Sequence, residues 1–260
     1  MYLFNLALKC HHDRVFAHAG GLTYRILLGF FPFIVFLMAL LGYLDLDEAA
    51  ILSGLYGVFP QDISVLVAGF IYELSETRSG GILSTALFFS VYNTTNGFRF
   101  IAFSLNAAHG VDAQRGFVKQ VLLSFVLMLL FSASLLVMLV LLVFGRQMFE
   151  FVFPWMGGVA ITLASGAGAL VILIFTTMLI YRLACVKKLP TRHVLPGAVL
   201  TVVGWVLASA FFGFITTNFT QYSAVYGSIA GVFFLILWLN VISVVLLVGN
   251  EANALVGDYF

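Results

Sequence analysis

The sequence predicts an all-α fold, a polytopic membrane bundle of six transmembrane helices with short interfacial helices, and three observations predict it. Of 260 residues, 62% are hydrophobic and 9% charged, whereas an ordinary soluble domain is roughly 25% charged. Mean hydropathy is +1.11. Six mostly apolar stretches, at about 22–43, 81–106, 117–144, 159–181, 194–217 and 228–255, are each long enough to cross a hydrocarbon layer about 30 Å thick as a helix. Together they form a single integral membrane domain over 1–260.

Residues 1–18 read as a helix lying on the membrane, with Leu3, Phe4, Leu6, Ala7 and Leu8 apolar and Lys9, His11, His12, Asp13 and Arg14 polar. That apolar run is too short for a cleavable signal peptide. In the first span Arg25 sits near the start, shallow enough to snorkel. Pro32 lies mid-span, where a missing backbone donor predicts a kink. Residues 44–80 carry six acids (Asp45, Asp47, Glu48, Asp62, Glu73, Glu76) and one base, Arg78. Their two apolar pieces, 49–59 and 63–74, are too short to span, so they read as interfacial or bundle-capping helices.

The second span is the most polar. Its middle carries Asn93, Thr94, Thr95 and Asn96, and its end carries Arg99, Ser104 and Asn106. At about 100° per residue, Ser90, Asn93, Gly97 and Ser104 share one face, and Thr95, Arg99 and Asn106 point the opposite way. Such groups facing lipid would be unsatisfied, so neighbouring helices must wrap this one on more than one side. The third span, with Lys119 and Gln120 at its start and only serines beyond, suits the periphery. The fourth has Ala160, Ala164 and Gly168 at four-residue spacing, which permits close helix approach. The fifth carries Thr201, Trp205, Ser209 and Gly213 on one broad face, and the sixth places Asn240, Ser243 and Glu251 roughly in line.

Basic residues set the orientation. Lys9, Arg14, Arg115, Lys119, Arg182, Lys187, Lys188 and Arg192 lie on the terminal side, and only Arg78 and Arg146 lie opposite. The positive-inside rule therefore puts both termini in the cytoplasm and the acidic 44–80 segment outside. Cys10 and Cys185 then share the reducing side, as free thiols.

No zinc spacing, P-loop or clustered carboxylates beside a basic surface occur, so neither an enzyme nor a cofactor is expected. A formal charge of +1 gives nucleic acid no concentrated basic face. The chemistry left is a set of polar groups in or near the membrane. Arg25, Arg99 and Glu251 fall toward the cytoplasmic ends of their spans, where Glu251 could pair with either arginine. The pair would be a structural clasp, or a gate or binding point for an anionic headgroup or solute. Asn93, Asn96 and Asn240 are either interhelical glue, worth about 0.6–2 kcal/mol each, or the lining of a hydrated cavity.

Several motifs carry a resemblance. Gln221-Tyr222-Ser223-Ala224-Val225-Tyr226-Gly227-Ser228, then Trp238, then Leu247-Val248-Gly249-Asn250-Glu251-Ala252-Asn253-Ala254, resemble the C-terminal signature of the YihY/BrkB family. Gly21-Leu22-Thr23-Tyr24 with Phe31-Pro32, Leu105-Asn106-Ala107-Ala108-His109-Gly110-Val111 with Arg115, and Pro196-Gly197-Ala198 with Trp205 are similar to its motifs elsewhere. The resemblance implies a six-span bacterial inner-membrane protein, often described as a transporter and linked to virulence or the cell envelope. Some members carry an old label of ribonuclease BN, which the missing nuclease chemistry argues against here. Arg25 departs from the family, where an uncharged residue is common at that position.

The expectation is a transporter or flippase-like binder of an amphipathic or anionic envelope-related molecule. Its partners would be membrane lipids and a small-molecule or lipid substrate. The alternative is a non-transporting scaffold for envelope proteins.

Overall fold

A computed structural model describes residues 2–42, 64–65, 80–111, 115–152, 155, 158–187, 189–218 and 228–259. Apart from Ser64 and Val65, which are helical, the expected short helices of 44–80 lie outside these residues, as do the Tyr226-Gly227 motif and the side-chain surroundings of Pro32. Among the described residues the fold is helical without strands: α1 (Tyr2–His12), α2 (Val15–Gly42), α3 (Gly80–Ala107), α4 (Phe117–Val152), α5 (Gly158–Ala184), α6 (Thr191–Asn218) and α7 (Ser228–Tyr259).

Four of them carry stretches long and apolar enough to cross a membrane: Phe117–Leu141, Ala160–Ala184, Thr191–Ile215 and Gly231–Gly257, with mean hydropathy of 2.7, 2.2, 2.2 and 2.7. Large apolar side chains such as Leu163, Val171, Leu207, Phe211 and Phe233 stand exposed along them. Such a surface suits lipid and would be a liability in water. Helices α2 and α3 are 28 residues each, or about 42 Å at a helical rise of 1.5 Å per residue.

Consecutive helices pack side by side from α2 to α7, and α7 closes the ring on α2. Helix α3 touches α5 and α7 in addition to its ring neighbours, so its polar residues meet protein on several sides. The expected small-residue stripe of α5 is rotated. Ala160 is exposed, Ile161 is buried, and Ser165 and Gly168 meet Gly145 and Leu141 of α4.

The N-terminal expectation needs a correction. Residues 1–18 are not one helix, because α1 stops at His12 and Arg14 takes a left-handed φ of 50°. α2 then starts at Val15, well before position 22. Leu6, Cys10, Val15, Ala19 and Leu22 are buried in the main core, and α1 packs on α7 and α2. Its apolar side therefore meets protein and not lipid headgroups alone. The turn after α3 carries Gly110 at φ 61°, with the Val111 N–H bonded to the Asn106 carbonyl at 3.2 Å and that of Gly110 to Ala107 at 3.0 Å. A residue without Cβ suits that left-handed position.

Candidate functional site

Among the described residues, the terminal end of the bundle gathers a dense set of polar contacts, and much of it is scaffolding. The last carbonyls of α5 have no partner within their helix, and two residues from the α3–α4 corner satisfy them. Asn106 Nδ2 donates to Ala184 O at 3.0 Å and to Ala102 O at 2.6 Å, and its Oδ1 accepts from the Val186 N–H at 2.7 Å. Arg115 donates to Leu183 O at 2.9 Å and Cys185 O at 2.8 Å.

Helices α6 and α7 cross with almost no side chain between them. A Cβ on Gly249 would meet Thr201 Oγ1, Gly197 O and Tyr181 Oη, and one on Gly197 would strike the Gly249 carbonyl and Asn253. Pro196 has no N–H, and the Gly197 N–H bonds Asn253 Oδ1 at 2.7 Å. Tyr181 is fully buried and joins three helices: its hydroxyl lies 2.6 Å from Thr201 Oγ1 and donates to Leu246 O at 2.6 Å. Asn250 Nδ2 ties α7 to α3 through Leu105 O at 2.9 Å.

Glu251 is 2% exposed. Its counter-ion is neither Arg99 nor Arg25 but Lys9 of α1, whose Nζ lies 3.6 Å from Glu251 Oε2 and 3.2 Å from Asp13 Oδ2. Asp13 also meets His12 Nδ1 at 2.8 Å. Desolvation raises its pKa, but the hydrogen bonds with His12, Lys9 and Glu251 and the Lys9 charge outweigh that and hold the carboxyl below its ordinary range. In α1, burial and then the Glu251 and Asp13 charges push the Cys10 thiol up to about 11. Both cysteines are free and buried.

The two arginines line a different feature. A groove of about 420 Å³ runs beside α3, with His18 and Arg25 from α2, Asn96, Arg99, Phe100, Phe103 and Asn106 from α3, Arg115, and Gln120 from α4. No Asp or Glu is among its lining residues. Arg25 stacks over Phe100 at 4.2 Å from the ring centroid, and Arg99 lies 5.1 Å from that of Phe117. Arg99 Nη1 reaches Asn96 Oδ1 at 3.4 Å, and its Nε is buried without a partner. Stacking on aromatic rings fixes a guanidinium plane while leaving its charge unneutralised. Among the described residues, none of the three arginines has a carboxylate partner.

Of the residues singled out from sequence, Arg25, Asn96 and Arg99 thus share the groove. Asn240 lies elsewhere, with Nδ2 at 3.3 Å from Thr23 Oγ1 between α7 and α2. Asn93 does not line the groove, and Glu251 belongs to the α1 cluster. Sequence reasoning missed Arg115, His18 and Gln120. Arg115 entered only as a topology charge, although a basic residue just past the end of a polar span was a usable signal.

Residues 7–259 match the family described as virulence factor BrkB. The ribonuclease-like protein YfkH of Bacillus subtilis is 34% identical over 243 residues, covering 91% of this chain and 88% of its own. The UPF0761 membrane protein VP0125 of Vibrio parahaemolyticus is 26% identical over 95% of this chain and 79% of its own. A UPF0761 membrane protein of Alteromonas mediterranea is 22% identical over 99% and 88%. No solved structure matches.

Proposed function

The chain belongs to the virulence factor BrkB family of membrane proteins, and on that premise we propose that it holds the anionic head of an amphipathic envelope molecule in the α3 groove and moves it across the inner membrane. One observation carries this reading: a groove of about 420 Å³ lined by three arginines and a histidine, with no carboxylate among the lining. That volume is in the range of small-molecule sites. Guanidinium groups recognise phosphate and carboxylate through paired donors. Exposed Phe103 and Phe117 flank the arginines, so an acyl tail has an apolar surface beside the head. In this reading Arg25, Arg99 and Asn96 contact the anion, and Arg115 adds charge while clamping α5.

In the same reading all six long helices span, with both termini cytoplasmic. The excess of basic residues on the terminal side supports that orientation. Thiol labelling should reach a cysteine at position 192 from the cytoplasm and one at 47 from outside. The ribonuclease-like name of the Bacillus relative is not carried over. A lining of arginines, amides and a single imidazole suits holding an anion more than cleaving one.

The test is reconstitution into vesicles containing a fluorescent anionic phospholipid, with flipping read by quencher access from outside. The wild type should speed translocation, and Arg25→Gln with Arg99→Gln should abolish the gain. Equal rates with and without protein would remove transport. Unchanged lipid retention by the double variant in native mass spectrometry would remove the groove as the site.

A further inference from the structure

The charge on the groove wall exceeds what a singly charged anion would balance. Arg25, Arg99 and Arg115 carry guanidinium groups, which do not deprotonate in proteins, and among the described residues no carboxylate lines the cavity with them. A sphere of that volume would be about 9 Å across, comparable with the screening length of about 8 Å at physiological ionic strength. All three charges therefore act on any group inside. The described acids of this end, Asp13 and Glu251, are hydrogen-bonded to each other in the α1 cluster beside Lys9 and His12. They line a separate cavity that shares only His18 and Ala107 with the groove.

The donors and acceptors sort the same way. Phe100 lies against Gly21, where a Cβ would come within 2.9 Å of its ring, and Arg25 stacks on that ring one turn further along α2. Its guanidinium thus has a platform, and the residue is exposed. Arg99 is stacked on Phe117, and its buried Nε has no partner. Arg115 commits two donors to α5 carbonyls, which are neutral and leave its charge in place. Acceptors are scarcer. The side-chain oxygens of Asn96 and Asn106 are engaged by Arg99 Nη1 and the Val186 N–H. An ammonium on the ligand would find no carboxylate in this lining and would be repelled by three cations.

We infer, on the reading that the groove is the head's site, that the head is a lipid phosphomonoester. Such a group carries about −1.5 to −2 at pH 7 and offers three acceptor oxygens. A phosphodiester or carboxylate carries a single negative charge, and a zwitterionic head adds a cation. The second charge and third oxygen supply one further charge-assisted hydrogen bond, equivalent to binding about tenfold tighter or more. Exposed Phe103 and Phe117 flank the arginines, so acyl chains add affinity that a soluble phosphomonoester lacks.

The experiment is native mass spectrometry of the purified full chain in detergent, titrated with dioleoyl phosphatidate, phosphatidylglycerol or phosphatidylethanolamine. Phosphatidate should bind about tenfold more tightly than phosphatidylglycerol, and phosphatidylethanolamine more weakly than both. Arg25→Gln and Arg99→Gln should each bring the two anionic lipids closer in affinity. Arg192→Gln, exposed and outside the groove lining, should leave the preference unchanged, which separates the groove from general surface charge. Glycerol 3-phosphate should fail to displace phosphatidate at equal concentration. Equal wild-type affinity for phosphatidate and phosphatidylglycerol overturns the phosphomonoester assignment and leaves the groove as an anion site. Displacement by glycerol 3-phosphate at equal concentration overturns the lipid and makes the ligand a soluble phosphomonoester. A preference that both arginine variants leave intact puts the phosphomonoester outside the groove. Retention of none of the three lipids removes the groove reading as well.

Discussion

Replacing Gly249 by alanine tests how closely α6 and α7 meet. The new methyl would lie against Thr201 Oγ1, 2.7 Å from Gly197 O and 2.7 Å from Tyr181 Oη. Two of these are side-chain oxygens already committed to a hydrogen-bond chain, and the third is backbone that cannot rotate away. Overpacking of this kind costs about 1–3 kcal/mol. Displacing the Tyr181 hydroxyl from Thr201 and Leu246 would add about 1 kcal/mol for each bond lost. A total of about 3–5 kcal/mol lowers Tm by about 6–20 °C in a chain of this size. Melting of the detergent-solubilised protein measures it, with Gly166→Ala as control, because a Cβ there meets nothing within 4 Å. Thr201→Ala in the same chain should recover part of the loss, giving a double-mutant cycle that is less than additive. A Gly249→Ala variant melting within 1 °C of wild type (a shift below about 0.5 kcal/mol) would refute the close crossing.

Three further outcomes are expected. Lys9→Met and Glu251→Gln should couple in a thermal double-mutant cycle, because Nζ and Oε2 are 3.6 Å apart, whereas Arg99→Gln and Glu251→Gln should add; the reverse pattern would move the ion pair back to α3. Asn106→Ala strands the Val186 N–H and the Ala184 carbonyl, so stability should fall by about 1–3 kcal/mol and trypsin should cut faster at Lys187, read by gel. The Asp13 carboxyl is held below its ordinary 3.8. Its contribution is therefore complete above that value and fades as pH falls through the lower folded value. Asp13→Asn should destabilise the protein near pH 5 and converge with wild type in stronger acid, as followed by melting from about pH 5 downward.

Sequence alone determined the class. Hydropathy, run length and the bias of basic residues are properties of local stretches, and a bilayer leaves few folds that satisfy the backbone. It also singled out α3 as a helix needing polar neighbours, and it placed Arg25 and Arg99 toward the same end. Only the tertiary structure decided which charges meet. Depth follows from position along a helix, but contact needs its rotation and the identity of its neighbours, and a few degrees per residue erase that information over a long span. Glu251 thus faces α1 and α2 and not the arginines lining the groove. Lys9 reaches it because the chain turns at Arg14, a left-handed residue that no periodicity announces. Arg115, a lone charge in the sequence, becomes both a clamp on α5 and a wall of the groove because α3, α4 and α5 converge there.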